Sequence, residues 1–309
     1  MGFWIIEKES QLNKLSYNSS CYISVIPLNH NYHPLLTSTS LIYYKNEENK
    51  GFIFPINHND GISIDLELIK QFILKHPKIY CLNKKDILYY LGGGFKENNV
   101  IDINLLHLEN TIHKLEIPDF KQIVANYIEN SFKTNTQLNS FIPITKHYEE
   151  QEYIYNYVKS YMENSKESTY YNVDYIWNMY CIEKQGIELN INVFNKHYFI
   201  KSPKLSIKDN KIYTQYNLYN FTSRPSNSFN GVNFGALNKS DGTRESFIPQ
   251  NDYLFEFDMR AYHLCISAKL INHTFIEEDI HTELGMFYFN KNELTEDERS
   301  EERRVGKEC

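Results

Sequence analysis

Long hydrophobic runs are missing from this sequence. No stretch of about eighteen consecutive apolar residues occurs, so no segment reads as a membrane-spanning helix. The opening MGFWIIEKES is too short and too acidic for a secretory signal. Cysteine is scarce as well, with five in 309 residues, no C-x-x-C pair and no metal-ligand spacing. That excludes a disulfide scaffold and a zinc ribbon and leaves reduced thiols, as in a soluble cytoplasmic protein. Ala and Gly are sparse, and there is no internal repeat. An excess of positive charge is also lacking: the net charge is −7, which argues against a surface that binds polyanions everywhere.

What is present is a chain long enough for about two domains, 41% hydrophobic and 15% aromatic, with 25 Tyr. Its richness in Asn, Ile, Lys and Tyr reads as the coding bias of an AT-rich genome. The average charge hides a local excess. Between Lys201 and Arg244 lie seven basic residues (Lys201, Lys204, Lys208, Lys211, Arg224, Lys239, Arg244) against Asp209 and Asp241. That stretch suits a phosphate backbone, or is a solvated loop.

Residues 1–118 alternate short strand-like and helix-like pieces. CYISVIPL, SLIYYK and KGFIFPI are rich in β-branched and aromatic residues and are broken by Asn, His and Pro, which predicts three strands. DLELIKQFILKH places Leu66, Ile69, Phe72 and Ile73 at helical spacing and stops before Pro77. IYCLN predicts a fourth strand, and KKDILYYL a helix capped by Gly92. The order suggests a mixed sheet with helices packed on it, an α/β fold. Gly92-Gly93-Gly94 follows a helix rather than opening one and so lacks the geometry of a phosphate loop. Residues 119–170 read as helix, polar loop with Pro143, and helix. Over 173–199 a helix ends near Gly186, and a second begins near Asn190 after a turn. From 200 to 252 the chain turns polar, as hairpins and loops do.

YLFEFDMRAYHLCISAKL, residues 253–270, predicts an apolar strand ending on a carboxylate, Asp258, then a helix. A buried carboxylate is costly unless paired, hydrogen-bonded or holding a metal. Position alone leaves two roles open, a cap for the following helix and a ligand for a hard dication.

Four segments together resemble the family A (DNA polymerase I-like) DNA polymerases. CIEKQGIELNINVF is similar to the family's E-x-x-G-I-x-[VL] turn into the palm, and NFTSRPSNSFNGVNFGALNK to T-G-R-L-S-S…N-L-Q-N. RESFIPQNDYLFEFDMRAYHLCISAKL resembles the motif A strand and helix, and EEDIHTEL the D-I-H after it. They occur in the family's order over roughly residues 173–285, and D-x-x-A-Y-H is closest in flavour to the phage-type branch. The resemblance implies an α+β multidomain architecture: an RNase H-like 3′–5′ exonuclease-type domain at 1–118, a helical linker or shortened thumb at 119–170, and a partial palm at 171–298. It also implies template-directed nucleotidyl transfer to a primer 3′-OH by a two-metal Mg²⁺ mechanism, with primer–template DNA and dNTPs as partners and a phage-infected host cytoplasm as the setting. Accessory replisome proteins are not specified by any residue.

By the same resemblance Asp258 is the catalytic metal ligand, and Tyr262, His263 and His281 lie near the incoming nucleotide. Arg224, Asn233 and Arg244 then face primer–template DNA. The chain departs from the pattern at several points. Ser223 stands where Gly is usual. His263 takes the place of the Glu that closes off the sugar 2′ position, which puts ribonucleotide discrimination in question. Cys265 replaces a basic residue.

The exonuclease-type domain departs further. Its first strand carries none of the carboxylates such nucleases need, and Asp86 and Asp102 are the only candidates for the later positions, so nuclease inactivity is expected. His30, His33 and His58 lack metal-ligand spacing and read as loop histidines. The last eleven residues, RSEERRVGKEC (299–309), lack periodicity and match the translation of a widely used sequencing-library adapter. On that reading the natural sequence runs to Glu298, the fingers helix and the second metal-binding Asp are not in this chain, and it does not extend a primer alone. Two other readings stay open: a non-catalytic DNA-binding module with a dead nuclease fold, and a 3′–5′ exonuclease with an unrecognised carboxylate set.

Overall fold

The structure is a computed structural model. It describes residues 2–97, 99–111, 138–163, 173–198, 206–220, 225–227, 232–238, 240–255, 262–274, 280–295 and 297–298. The chain forms two compact units, Met1–Gln250 and Asn251–Cys309.

The first unit is built on a six-stranded mixed sheet in the order β1-β4-β3-β2-β5-β6. Its strands are β1 (Trp4–Ile5), β2 (Cys21–Pro27), β3 (Thr39–Asn46), β4 (Gly51–Pro55), β5 (Ile79–Cys81) and β6 (Val100–Asp102). β2, β3 and β4 pair antiparallel, with Ile23 opposite Tyr44 and Tyr43 opposite Ile53. β5 runs parallel to β2, and β6 to β5. This is the RNase H-like arrangement, extended at one edge by β1. Both faces of the sheet are covered, so β3 is buried at every position but Asn46 rather than alternating. Ile42 and Tyr44 enter one core cluster and Leu41 and Tyr43 the other, as a period of two requires.

Four helices do most of the covering. α2 (Leu66–Ile73, following the single-turn α1 at Glu9–Leu12) is capped by Asp65, whose carboxylate accepts from Glu67 N. α3 (Lys84–Leu91) is capped by Asn83, which accepts from the Lys85 and Asp86 amides, and it ends on Gly92 at φ +93°. Both pack on the Ile42/Tyr44 face with α6 (Val173–Gln185), through Ile69, Phe72, Ile87, Leu88, Ile176 and Tyr180. α5 (Ile144–Glu163) covers the other face with Ile144, Tyr148, Tyr155 and Val158. α4 (Ile103–Thr111) follows β6 directly. Each fully buried Ile, Leu or Phe contributes about 1.5–3 kcal/mol.

The four strands and two helices expected before residue 92 are present as β2, β3, β4, β5, α2 and α3. β6 and α4 were not anticipated: a three-residue strand carries too little pattern to read. Of the pieces expected over 119–170, residues 112–137 and 164–172 lie outside the described residues, and α5 supplies the second helix.

After α6, Gly186 at φ +63° turns the chain into β7 (Ile187–Leu189), so a short strand stands where a bare turn was expected. Asn190 then caps α7 (Ile191–His197), accepting from Val193 N. β7 pairs with β9 (Lys211–Ile212) and with β12 (Phe247–Ile248), and β9 with β8 (Ile207–Lys208), giving a small antiparallel sheet. Asp209 and Asn210, both at positive φ, make the two-residue turn between β8 and β9. Leu189, Phe194, Ile212 and Val232 form its core. β10 (Tyr216–Asn217) and β11 (Ser226–Asn227) make a separate hairpin.

In the second unit, α8 (Tyr262–Leu270) and α9 (Ile280–Phe289) come after residues 251–255, which belong to no helix or strand. That segment corrects one expectation. Tyr253, Leu254 and Phe255 are 75%, 65% and 81% exposed and form no strand, where a buried strand leading to Asp258 was expected. An apolar run becomes a strand only when a neighbour satisfies its backbone groups, and none of the described residues pairs with it. No helix among the described residues is long and apolar enough to cross a membrane.

Candidate functional site

In a mixed α/β sheet the natural ligand site is the crevice at the carboxyl ends of the strands, where the chain order reverses. Here that point lies between β2 and β5, because β3 and β4 continue to one side of β2 while β5 and β6 lie on the other. The side chains that gather there are Lys84, Lys85 and Asp86 at the start of α3, Asp102 at the end of β6, and His33 after β2.

Asp102 is buried and fully engaged. Its Oδ1 accepts from the Leu105 amide (2.9 Å), capping α4, and its Oδ2 accepts from the Lys84 amide (2.8 Å) and the Tyr219 hydroxyl (2.8 Å). Burial pushes its pKa up to about 6 against the pull of those donors and of Lys84. Asp86 is partly buried and also pushed up to about 6, chiefly by desolvation.

Glu183 on α6 meets the ammonium of Lys85 at 2.6 Å, accepts from the Tyr216 amide at 2.6 Å, and accepts from the Tyr89 hydroxyl at 2.6 Å. Lys85 also donates to the Tyr216 carbonyl. Lys84 donates to the Lys96 and Glu97 carbonyls at 2.9 and 2.8 Å, and burial lowers its pKa. His33 accepts from the Leu35 amide through Nδ1, so Nε2 carries the proton and donates to the Thr214 carbonyl at 3.1 Å. Its pKa falls to about 4, mainly through burial.

The donor set does not fit a nuclease's metal pair. Asp102 and Glu183 have spent their oxygens on protein donors, and the local cations are lysines. Among the described residues no group of three His, Cys, Asp or Glu side chains is placed to hold a metal. His33 has both ring nitrogens engaged. His58 accepts from the Asp60 amide and packs edge-on to His147 at 5.8 Å, and His30 is an exposed loop residue. Lys85, Glu183, Tyr89 and Tyr219 were not singled out from the sequence. The one local sign is a Lys-Lys-Asp start to a helix that turns out to be buried.

The residues implied for DNA and nucleotide contact fall into two groups. In the first unit, exposed Asn233 caps the single turn Phe234–Ala236, accepting from Gly235 N at 3.2 Å. Exposed Arg244 donates from Nη2 to the Leu237 carbonyl at 3.2 Å. Asn233 and Arg244 therefore stand at opposite ends of one turn, beside the small sheet. In the second unit, Tyr262 opens α8 and is half-exposed, His263 is the next residue of that helix, and partly buried His281 lies near the start of α9. Asp258 and Arg224 lie outside the described residues.

No family model matches the chain, and no curated protein matches it. Solved structures do. The POL domain of Pol1 from M. smegmatis, in complex with DNA primer–template and dNTP, superposes with a TM-score of 0.57 at 10% identity, over 98% of this chain and 70% of that one. The chain has a polymerase-like fold. The catalytic core of RRP6 from Trypanosoma brucei matches at TM-score 0.33 and 12% identity, over 53% of this chain and 47% of its own. Brucella melitensis NrnC bound to pGG matches at 0.32 and 11%, over 53% and 80%. Those two superpositions are too loose to carry an argument, and the first is a likeness of fold.

Proposed function

We propose that this chain is the amino-terminal portion of a family A, phage-type DNA polymerase, with an exonuclease-type domain at 1–118, a linker or shortened thumb at 119–170, and the first part of the palm at 171–298. One observation carries the reading: a polymerase-domain fold spans nearly the whole chain, and four polymerase-like motifs follow one another along it in the family's order. In this reading Asp258 is a catalytic carboxylate, whose hard oxygens suit Mg²⁺. Bound there, Mg²⁺ supplies positive charge where phosphoryl transfer develops negative charge. Arg224, Asn233 and Arg244 hold the primer–template, and Tyr262, His263 and His281 border the nucleotide. The exonuclease-type domain serves as scaffold, since the carboxylates of its cleft are matched by lysines and amides.

The test has two arms. Amplifying the source DNA across the codon for Glu298 should read into an Arg/Lys helix and then His-Asp-Glu, and the protein so encoded should extend a primer with Mg²⁺ and lose that activity in Asp258→Asn. A stop codon near residue 309 would instead favour the non-catalytic DNA-binding module, which the filled cleft and the exposed Asn233 and Arg244 also suit. Metal-dependent degradation of single-stranded DNA that disappears in Asp102→Ala would overturn the scaffold role.

A further inference from the structure

Two leads of the small sheet, into β7 and out of β9, meet at one carboxylate. Glu183 lies on α6 just before the Gly186 turn that opens β7. β9 runs on into residues 213–219, where the Tyr216 amide donates to Glu183 at 2.6 Å. The Glu183 side chain is fully buried against the Lys85 ammonium and the Tyr89 hydroxyl of α3, each at 2.6 Å. Lys85 also donates to the Tyr216 carbonyl, and His33 to the Thr214 carbonyl at 3.1 Å. The Tyr213 ring lies 5.5 Å from that of His33 and closes over Gly186, where an added Cβ would meet it at 2.7 Å. Tyr219 donates to Asp102 at 2.8 Å. What the sheet carries follows from its pairing. β7 pairs with β12, and the Asn190 amide donates to the Ser246 carbonyl at 2.8 Å, which ties down the turn Thr243–Ser246 and with it exposed Arg244. Exposed Asn233 precedes Phe234, whose ring meets that of Phe247 on β12 at 5.5 Å.

We propose that Glu183 is a positioning residue for duplex binding, which with Lys85 and Tyr89 clamps both leads of the small sheet to α3 and so sets where Asn233 and Arg244 stand. This rests on the DNA-binding reading of those two residues. Strands of two or three residues over a core of Leu189, Phe194, Ile212 and Val232 bury little apolar surface. The attitude of such a sheet depends on what its leads are tied to. Here the ties are hydrogen bonds to a buried carboxylate, the stronger kind. The lysine-filled cleft thereby has a task in duplex binding that requires no nuclease chemistry.

The experiment is titration of the 309-residue chain with a fluorescent primer–template duplex over a range of salt. Tyr89→Phe is the probing variant, because it removes one donor from Glu183 and leaves the ion pair and the ring's packing in place. It should raise Kd about three- to tenfold, up to the ratio that loss of one hydrogen bond to a charged group corresponds to. The salt slope should stay unchanged, because no phosphate contact is removed. Tyr43→Phe is the matched control: the Tyr43 hydroxyl donates to Glu152 at 3.1 Å on the opposite face of the sheet, where Lys45 pairs with the same carboxylate. It should lose comparable stability and leave Kd unchanged. Arg244→Ala should lower the slope by about one. In the Asn233→Ala/Arg244→Ala background Tyr89→Phe should add little, since the contacts it places are gone. Amide exchange at Leu189 and Tyr213, which donate to the Asn210 and Ser206 carbonyls, should quicken in Tyr89→Phe and not in Tyr43→Phe. An unchanged Kd in Tyr89→Phe overturns the clamp. So does an equal rise in Tyr43→Phe, or full additivity with Asn233→Ala/Arg244→Ala, either of which marks general destabilisation. A wild type without duplex affinity, or an Asn233→Ala/Arg244→Ala indistinguishable from it, overturns the DNA-binding reading and the clamp's role with it.

Discussion

Replacing Lys85 with methionine keeps most of the side chain's length and removes its charge. The ammonium sits 2.6 Å from Glu183, with 5% and 0% of the two side chains exposed. Deleting one partner of such a pair leaves a buried carboxylate uncompensated, at a cost of about 3–5 kcal/mol. Glu183 keeps two donors, the Tyr216 amide and the Tyr89 hydroxyl, which favours the lower end of that range. Against a total stability of about 5–15 kcal/mol this is a large fraction. At ~2–4 °C per kcal/mol for a unit of this size, the melting temperature should fall by roughly 6–20 °C. The assay is thermal and urea denaturation of the wild type, Lys85→Met, Glu183→Gln and the double variant. The double variant should recover part of the loss, because the orphaned charge is gone. If Lys85→Met costs less than about 1 kcal/mol, the range of solvated surface pairs, the cleft is wet and the reasoning fails.

Two further predictions concern the first unit. His147 is 1% exposed, donates from Nε2 to the Asn139 carbonyl, and has its pKa lowered to about 4, chiefly by burial, with His58 and His30 adding to the fall and Asp60 opposing it. A histidine whose folded pKa lies below its unfolded value contributes stability above pH 6.5 that is lost as the pH falls toward 4. The loss should reach about 2–3 kcal/mol by pH 4.5 in urea melts, and His147→Gln should be spared it; parallel pH curves for the two proteins would refute this. Gly186 sits at φ +63°, and a Cβ there would meet the Tyr213 ring at 2.7 Å and the Ile212 carbonyl at 3.1 Å. Gly186→Ala should therefore cost at least about 2 kcal/mol in thermal denaturation, while an unchanged melting temperature would mean that the turn into β7 is not held as described.

How far the site could be read from the sequence differs between its halves. The polymerase-like resemblance is carried by short motifs whose spacing is linear, so the roles proposed for Asp258, Arg224, Asn233, Arg244 and His281 rest on order along the chain and not on geometry. Nothing local announced that Lys84 and Lys85 would be buried. The cleft's chemistry is set by Glu183, 98 residues from Lys85, and by Tyr219, 117 residues from Asp102. The exposure of Tyr253, Leu254 and Phe255 was equally unreadable, because an apolar alternating stretch looks the same whether or not a partner strand lies beside it.

Local chemistry accounts for much of the fold. β-branched and aromatic runs fixed β2, β3 and β4; the side-chain caps at Asp65 and Asn83 and the left-handed Gly92 bounded α2 and α3; Gly186 and Asn190 bracketed the passage from α6 to α7. Each depends on neighbours within a few residues, where the chain's own geometry decides. The order of strands in the sheet and the three-residue β6 depend on pairings between residues that local pattern does not link, such as Cys21 with Ile79 and Ile79 with Val100, and the filling of the strand-end cleft by residues 213–219 depends on contacts as distant as Tyr219 with Asp102 and Thr214 with His33. Such contacts form only where two distant surfaces match in shape and charge, and that match comes into being when the chain folds.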